Sequence, residues 1–184
     1  NDEGGTQGYT TVIILCAGLG LQGCGVAPLM HRGGILVDTW AEVKADDKTV
    51  AEILAAFHQA EEALETQNLD ALMNLYATEY RYHGLTKEDL HKIWAQLLAD
   101  YQGLRSNHIF SRIVVRSDRT PTAEITCTGS LWAMSRQTGD RVNVDSWYGE
   151  VHHLIYEDGA WRIRGHAGEA PKGIQFGVAP HPFF

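Results

Sequence analysis

The stretch SNHIFSRIVVRSDRTPTAEITCTGSLW, residues 106–132, decides the fold class because its apolar side chains largely recur at every second position. That period of two is typical of β-strands that bury one face. The pattern continues toward the C-terminus, and the turns between its segments have the chemistry of β-hairpins, most clearly at Asp158-Gly159. Strands are predicted over 106–117, 121–136, 141–157 and 160–167. Strands this long must bend or curl to form a compact sheet.

Upstream of this sheet the apolar residues follow a helical period. Val50, Ile53, Leu54 and Phe57 have the spacing i, i+3, i+4, i+7, which predicts an amphipathic helix over 48–66. A short helix from Leu69 to Tyr76, a strand over 79–83 and a third helix over 86–101 follow. Asp46 or Asp47 is the expected N-cap of the first helix, and Thr86 that of the third. This order is that of an α+β protein, in which helices close the open side of a curled sheet around an internal cavity.

Two further segments strengthen a resemblance to a known superfamily: ALETQNLDALMNLYATEYRYHG, residues 63–84, and YEDGAWRIRGH, residues 156–166. Together with residues 106–132 they resemble the NTF2-like superfamily, and most closely its SnoaL-like branch, which is similar to ketosteroid isomerases. The resemblance covers about residues 48–168. It implies a cone-shaped fold in which three N-terminal helices pack on a strongly curved antiparallel sheet. It does not imply one activity, because this fold carries isomerases, dehydratases, cyclases and non-catalytic binders.

The catalytic residues of the isomerase branch are not all present. Its helix-1 tyrosine would fall near Ala60 and its general-base aspartate near Gly84, and neither residue type is found there. Its buried acid would fall near Tyr148, and the neighbour of that acid near His152. The ketosteroid isomerase mechanism is therefore not supported. His108, in the phrase NHIFS, resembles a pocket histidine of SnoaL-like sequences.

Alternation along the strand over 141–157 divides its side chains between two faces. The resemblance places Tyr148, Glu150 and His152 toward the cavity. The opposite face would then be an apolar outer surface, and such a surface favours a sheet-to-sheet dimer or another docked partner. The residues expected on it are Trp147, Val151, His153 and Ile155.

The inward set defines a candidate catalytic cluster of His108, His152, Tyr148 and Glu150. Histidine is suited to proton transfer at neutral pH, and a nearby carboxylate would fix its tautomer. The alternative is a hydrogen-bonded lining without chemistry. Candidate ligand-binding residues at the cavity mouth are Tyr80, Tyr82, Trp132 and His58. Their alternatives are ordinary core aromatics and, for His58, a half-buried helix histidine. A metal triad of Glu150, His152 and His108 is the weaker interpretation, and neither a metal nor a cofactor is predicted.

Outside the domain, residues 1–30 are predicted to be an uncharged arm, signal or anchor, residues 31–47 a linker, and residues 169–184 a C-terminal arm. Within the linker, the apolar patch Ile35-Leu36-Val37 is interpreted as a short strand or as an arm lying on the domain. No charged residue occurs between Gly4 and Met30, and Leu21-Gln22-Gly23-Cys24 resembles a bacterial lipoprotein box. Three interpretations remain open: an exported or membrane-anchored tail, an arm packed into an assembly, or part of the core. The first would place the protein in the cell envelope, with membrane contact through residues 4–30.

Two functional hypotheses follow. The first is a cofactor-independent lyase or isomerase, or a binding domain, for a small apolar or ring-bearing molecule. The second is a non-catalytic subunit of a membrane complex or filament, assembled as a homo-oligomer or a larger structure. A nucleic-acid partner is excluded by the net charge of −8 and by the scattered basic residues.

Overall fold

The structure, a computed structural model, describes residues 34–166, which form three helices and seven strands. The predicted α+β class is confirmed. The helices are α1 (Asp47–Glu65), α2 (Leu69–Met73) and α3 (Lys87–Asp100). The strands are β1 (Gly34–Lys44), β2 (Tyr76–Tyr82), β3 (Leu85–Thr86), β4 (Tyr101–Arg116), β5 (Thr122–Ser135), β6 (Arg141–Glu157) and β7 (Ala160–His166).

Side-chain caps fix where the long helices begin. The Asp46 carboxylate accepts a hydrogen bond from the backbone N–H of Thr49, which satisfies one of the donors left open at the start of α1. Thr86 and Asp89 form a reciprocal capping box at the start of α3. Both caps fall at residues that the sequence pattern indicated.

The strands form one sheet with the order β1-β4-β5-β6-β7-β2-β3. The successive strands β4, β5, β6 and β7 pair antiparallel with one another, as predicted. The sheet is nevertheless mixed, because β1 pairs parallel with β4 and β2 pairs parallel with β7. The expectation of a wholly antiparallel sheet was wrong at these two pairs. In each pair the two strands are far apart in the chain, with helices between them, so a parallel pairing is possible.

Residues 34–44, which fall within the predicted linker, form the edge strand β1 of this sheet. Ile35 is 1% exposed and belongs to the core. On the solvent side, the Arg112 guanidinium contacts Glu42 on β1 and Glu124 on β5, at 3.1 and 3.0 Å. Backbone pairing, a buried side chain and an ion pair therefore join β1 to the domain.

The core lies between the helices and the inner face of the sheet. Phe57 and Leu64 of α1 and Trp94 of α3 are fully buried there. They face buried side chains of the sheet, among them Phe110, Ile113, Ile125, Leu154 and Ile163.

No helix within residues 34–166 is long and apolar enough to cross a membrane. The predictions for residues 1–30 and 169–184 concern segments that lie outside the described residues.

Candidate functional site

A β-bulge in β6 decides which side chains reach the interior. Cys127 lies opposite Glu150, but Gly129 lies opposite Trp147, so β6 contains one extra residue between these pairs. Gly149 occupies the bulge with φ of +62°, a left-handed conformation that glycine adopts easily. An extra residue reverses the alternation of side chains along the strand.

The bulge corrects two of the predicted orientations. Trp147 points inward and is only 6% exposed, whereas Tyr148 is 91% exposed on the outer face. The expectation that Tyr148 faces a cavity and Trp147 faces outward was wrong, because simple alternation does not continue through Gly149. Beyond the bulge, Glu150 and His152 lie on the inner face as expected, and His152 is fully buried.

His108 and His152 lie on the same inner face and contact one ring of α1. The centroid of the Phe57 ring is 5.7 Å from that of His108 and 6.4 Å from that of His152, both edge to face. The Trp147 ring packs against His108 at 5.3 Å. Both imidazoles are fully buried. The structure therefore brings together the two histidines that the sequence singled out and encloses them in aromatic side chains.

Cys127 on β5 contacts both His108 and Trp147 of this cluster. Its Sγ lies 3.6 Å from His108 Nδ1 and accepts a hydrogen bond from Trp147 Nε1 at 3.3 Å. Burial raises the pKa of the Cys127 thiol to about 12, so the thiol is neutral at physiological pH. The Glu150 carboxylate contributes to this rise, and it also contributes to the raised pKa of Tyr80, for which burial is the main cause. Glu150 is thus close enough to act on both groups.

The predicted ligand-binding residues are divided between two places. Tyr80 and Tyr82 are buried, at 0% and 7% exposure, and the Tyr80 ring meets that of Tyr76 at 5.4 Å. Trp132 is on the outer face, where its Nε1 donates to Ser130 Oγ and the Arg141 guanidinium lies 4.6 Å from its ring. Its predicted place at a cavity mouth was wrong, because its neighbours on β5 already occupy the inner face of this part of the sheet.

The sequence analysis missed a buried carboxylate beside His58. Glu61 is 7% exposed, and its Oε2 is 3.6 Å from His58 Nδ1. Ser106 Oγ donates to Glu61 Oε1 at 3.3 Å, and the backbone N–H of Gly34 also donates to this carboxylate. Burial raises the pKa of Glu61 to about 7, which is near physiological pH.

The signal for Glu61 was present in the helix pattern. It follows Phe57 by four residues and therefore continues the apolar stripe of α1 with a charged group. Its partner Ser106 precedes His108 by two residues on β4, so both side chains lie on the inner face. The Glu61–Ser106 contact between α1 and β4 therefore lies next to the Phe57–His108 contact between the same two elements.

Two cavities formed by residues 34–166 lie outside this cluster. One of about 440 Å³ lies on the outer face of the sheet, and one of about 200 Å³ lies beside α1 and the β6–β7 turn. Neither is lined by His108 or His152. Within the same residues, no group of three His, Cys, Asp or Glu side chains is arranged to hold a metal ion.

Comparisons with known proteins support the fold. No family model and no curated protein matches the chain. A conserved protein from Planctomyces limnophilus is 15% identical with a TM-score of 0.57, over 67% of this chain and 96% of its own. Aln2 from a Streptomyces species is 12% identical with a TM-score of 0.52, over 67% and 91%. A ketosteroid isomerase-like protein from Erwinia carotovora atroseptica is 15% identical with a TM-score of 0.49, over 66% and 95%. At such identities the likeness shows the α+β fold alone.

Proposed function

We propose that this domain is a SnoaL-like, cofactor-independent lyase or isomerase that binds a small apolar or ring-bearing molecule. The observation that carries the proposal is the pair of fully buried imidazoles, His108 and His152, which share one aromatic-lined face with Glu150. Structural neighbours of this fold include proteins named as dehydratases, hydroxylases and isomerases. Those names concern the neighbours, and the proposal rests on the side chains found here.

The cluster contains the groups that proton transfer at carbon requires. One imidazole removes a proton from the carbon next to a carbonyl, and the other donates a hydrogen bond to the oxygen on which negative charge develops. The rings of Phe57 and Trp147 pack around His108 and give this imidazole apolar surroundings.

The test uses 2-tetralone, a ring-bearing ketone with exchangeable α-protons, and follows their replacement by deuterium with proton NMR. The full chain should accelerate this exchange over buffer. His152→Gln and His108→Gln should each lower the acceleration by about 10²-fold or more, which is the contribution expected of a general acid or base.

His91→Gln is the matched control, because His91 is exposed on α3 and lies outside the cluster. Its exchange rate should equal that of the unchanged protein. Exchange at the buffer rate, or a loss in the control as large as in the cluster variants, would contradict the proposal.

A second candidate function is the non-catalytic assembly subunit, and the outer face of the sheet favours it. Leu36 on β1 pairs with Ile109 on β4, and both are exposed, at 46% and 38%. Ile109 pairs with Thr128 on β5, next to the bulge that turns Tyr148 outward. These side chains form an apolar row across the sheet, which is a surface suited to docking.

The assembly hypothesis predicts that Tyr148→Ser and Ile109→Ser lower the mass measured by light scattering. Trp40→Ser is the control, since Trp40 is 92% exposed but lies where the pairing of β1 is irregular. A chain lacking residues 1–30 tests the contribution of the predicted arm. A monomeric full chain would refute this second function and leave the enzymatic proposal untouched.

A further inference from the structure

The 440 Å³ cavity lies on the outer face of the sheet, on the other side from His108 and His152. It spans five neighbouring strands, and backbone pairing aligns one residue of each strand across it. In order across the sheet, these residues are Val114, Glu124, His153, Gly165 and Arg81. The cavity is therefore a feature of the sheet itself and not of a surface loop.

Gly165 explains why a depression forms in this row. His153 pairs with Gly165 while Leu154 pairs with Ile163, so β7 contains a bulge at Arg164. Gly165 contributes no side chain between His153 and Arg81. A Cβ atom there would lie 2.4 Å from the backbone oxygen of Arg81, so a larger residue does not fit without a shift. The bulge also leaves Arg164 exposed at the cavity.

Positive charge predominates in the lining. Three arginines, Arg81, Arg116 and Arg164, line the cavity together with two carboxylates, those of Glu79 and Glu124. Glu124 is already paired with Arg112 at 3.0 Å and with Arg116 at 3.6 Å.

The guanidinium groups of Arg81 and Arg164 are the two that we consider as ligands for an anion, and their surroundings differ. Arg81 is held by the hydrogen bond from its Nη1 to the Tyr80 carbonyl, which positions the guanidinium at the cavity. No ion pair or hydrogen bond joins the Arg164 side chain to other residues within 34–166. A planar guanidinium binds carboxylate or phosphate oxygens through two parallel hydrogen bonds.

We infer that this cavity binds a small molecule bearing a carboxylate or phosphate group, held by Arg81 and Arg164 with His153 as a further donor. The volume suits a compact metabolite-sized anion. The site differs in chemistry from the inner cluster, because it is polar and cationic whereas the inner cluster is enclosed by aromatic rings. A chain with a net charge of −8 repels anions in general. Binding of an anion at this cavity would therefore depend on the local arginine side chains and not on the charge of the whole chain.

The experiment is a two-dimensional amide NMR titration of the full chain with inorganic phosphate and, separately, with succinate, at constant ionic strength. Saturable shifts are expected at the amides of His153 and Gly165. Arg164→Gln should weaken binding by about tenfold or more, as expected for the loss of a charge-assisted hydrogen bond. Glu79→Gln should tighten binding, because it removes the one lining carboxylate that has no arginine partner among residues 34–166.

Arg119→Gln is the matched control, since Arg119 is exposed in the turn between β4 and β5 and does not line the cavity. It should leave both affinities unchanged. A response to phosphate alone or to succinate alone would identify which anion the site accepts. Shifts that do not saturate, or equal weakening by Arg119→Gln and Arg164→Gln, would overturn the inference.

Discussion

At the scale of single residues, the candidate site depends on polar groups placed where apolar ones would be expected. His108, His152 and Glu61 are all buried in a core whose other members are almost entirely apolar. Burial of polar groups lowers stability unless partners compensate, so such positions are good candidates for function. Glu61 is the most informative of them, because its pKa of about 7 gives a measurable dependence on pH.

Glu61→Gln should become increasingly stabilising relative to the unchanged protein as pH rises from 4.5 to about 7. In this range the folded protein binds the Glu61 proton more strongly than the unfolded chain does, so raising the pH lowers its stability. Glutamine has nearly the same shape as glutamate, but its side chain does not titrate. The difference should change by at most about 3 kcal/mol between pH 4.5 and pH 7, and it should be constant outside this range.

Urea unfolding of both proteins across this pH range measures the difference. Glu62→Gln is the control, because Glu62 is the exposed neighbour of Glu61 on α1. A constant difference between the Glu61→Gln and unchanged proteins at every pH would show that this carboxylate does not titrate near 7.

At the scale of the elements, β-bulges decide which face each side chain occupies. The bulge at Gly149 turns Trp147 inward and Tyr148 outward, and the bulge at Arg164 opens the outer-face cavity. A pattern of alternating residues does not reveal such an insertion unless its glycine is recognised as a bulge residue. Gly149 precedes Glu150 in the candidate cluster, so its conformation sets the register of that cluster.

Gly149→Val should destabilise the domain by about 1–2 kcal/mol, because a β-branched residue is strained at a positive φ. Gly149→Asn should cost much less, since asparagine tolerates this conformation. A Cβ atom at position 149 would contact nothing within 4 Å, so the comparison isolates the backbone effect.

Chemical unfolding monitored by tryptophan fluorescence gives both free energies. Equal losses in the two variants would indicate that residue 149 is not held in the left-handed conformation.

At the scale of the whole molecule, the sheet extends beyond the boundary that the sequence suggested. The region around Ile35 was predicted to lie in a linker, as a short strand or an arm, and it forms an 11-residue strand at the edge of the sheet, beside β4. This strand also delivers the Gly34 N–H to the Glu61 carboxylate. The edge strand is thus connected to both the core and the buried acid.

Ile35→Ala should cost about 2–5 kcal/mol of folding stability, the range for removing a buried aliphatic side chain. Leu36→Ala, on the opposite face of the same strand, should change stability by less than about 0.5 kcal/mol. The exposed fractions of the two side chains are 1% and 46%.

Thermal and urea unfolding of the two variants provide the measurement. If both substitutions were equally mild, β1 would not be an integral part of the domain.

The sequence by itself determined the α+β class, the positions of the helices and long strands, and the inward placement of His108 and His152. These follow from periodicity, from caps such as Thr86, and from the resemblance to a known fold, all of which are local or cumulative along the chain. Only the tertiary structure decided that Tyr148 and Trp132 lie outside, that Glu61 is buried beside His58, and that β1 joins the sheet. These outcomes depend on bulges and on tertiary contacts, and the periodicity of the sequence does not specify either of them.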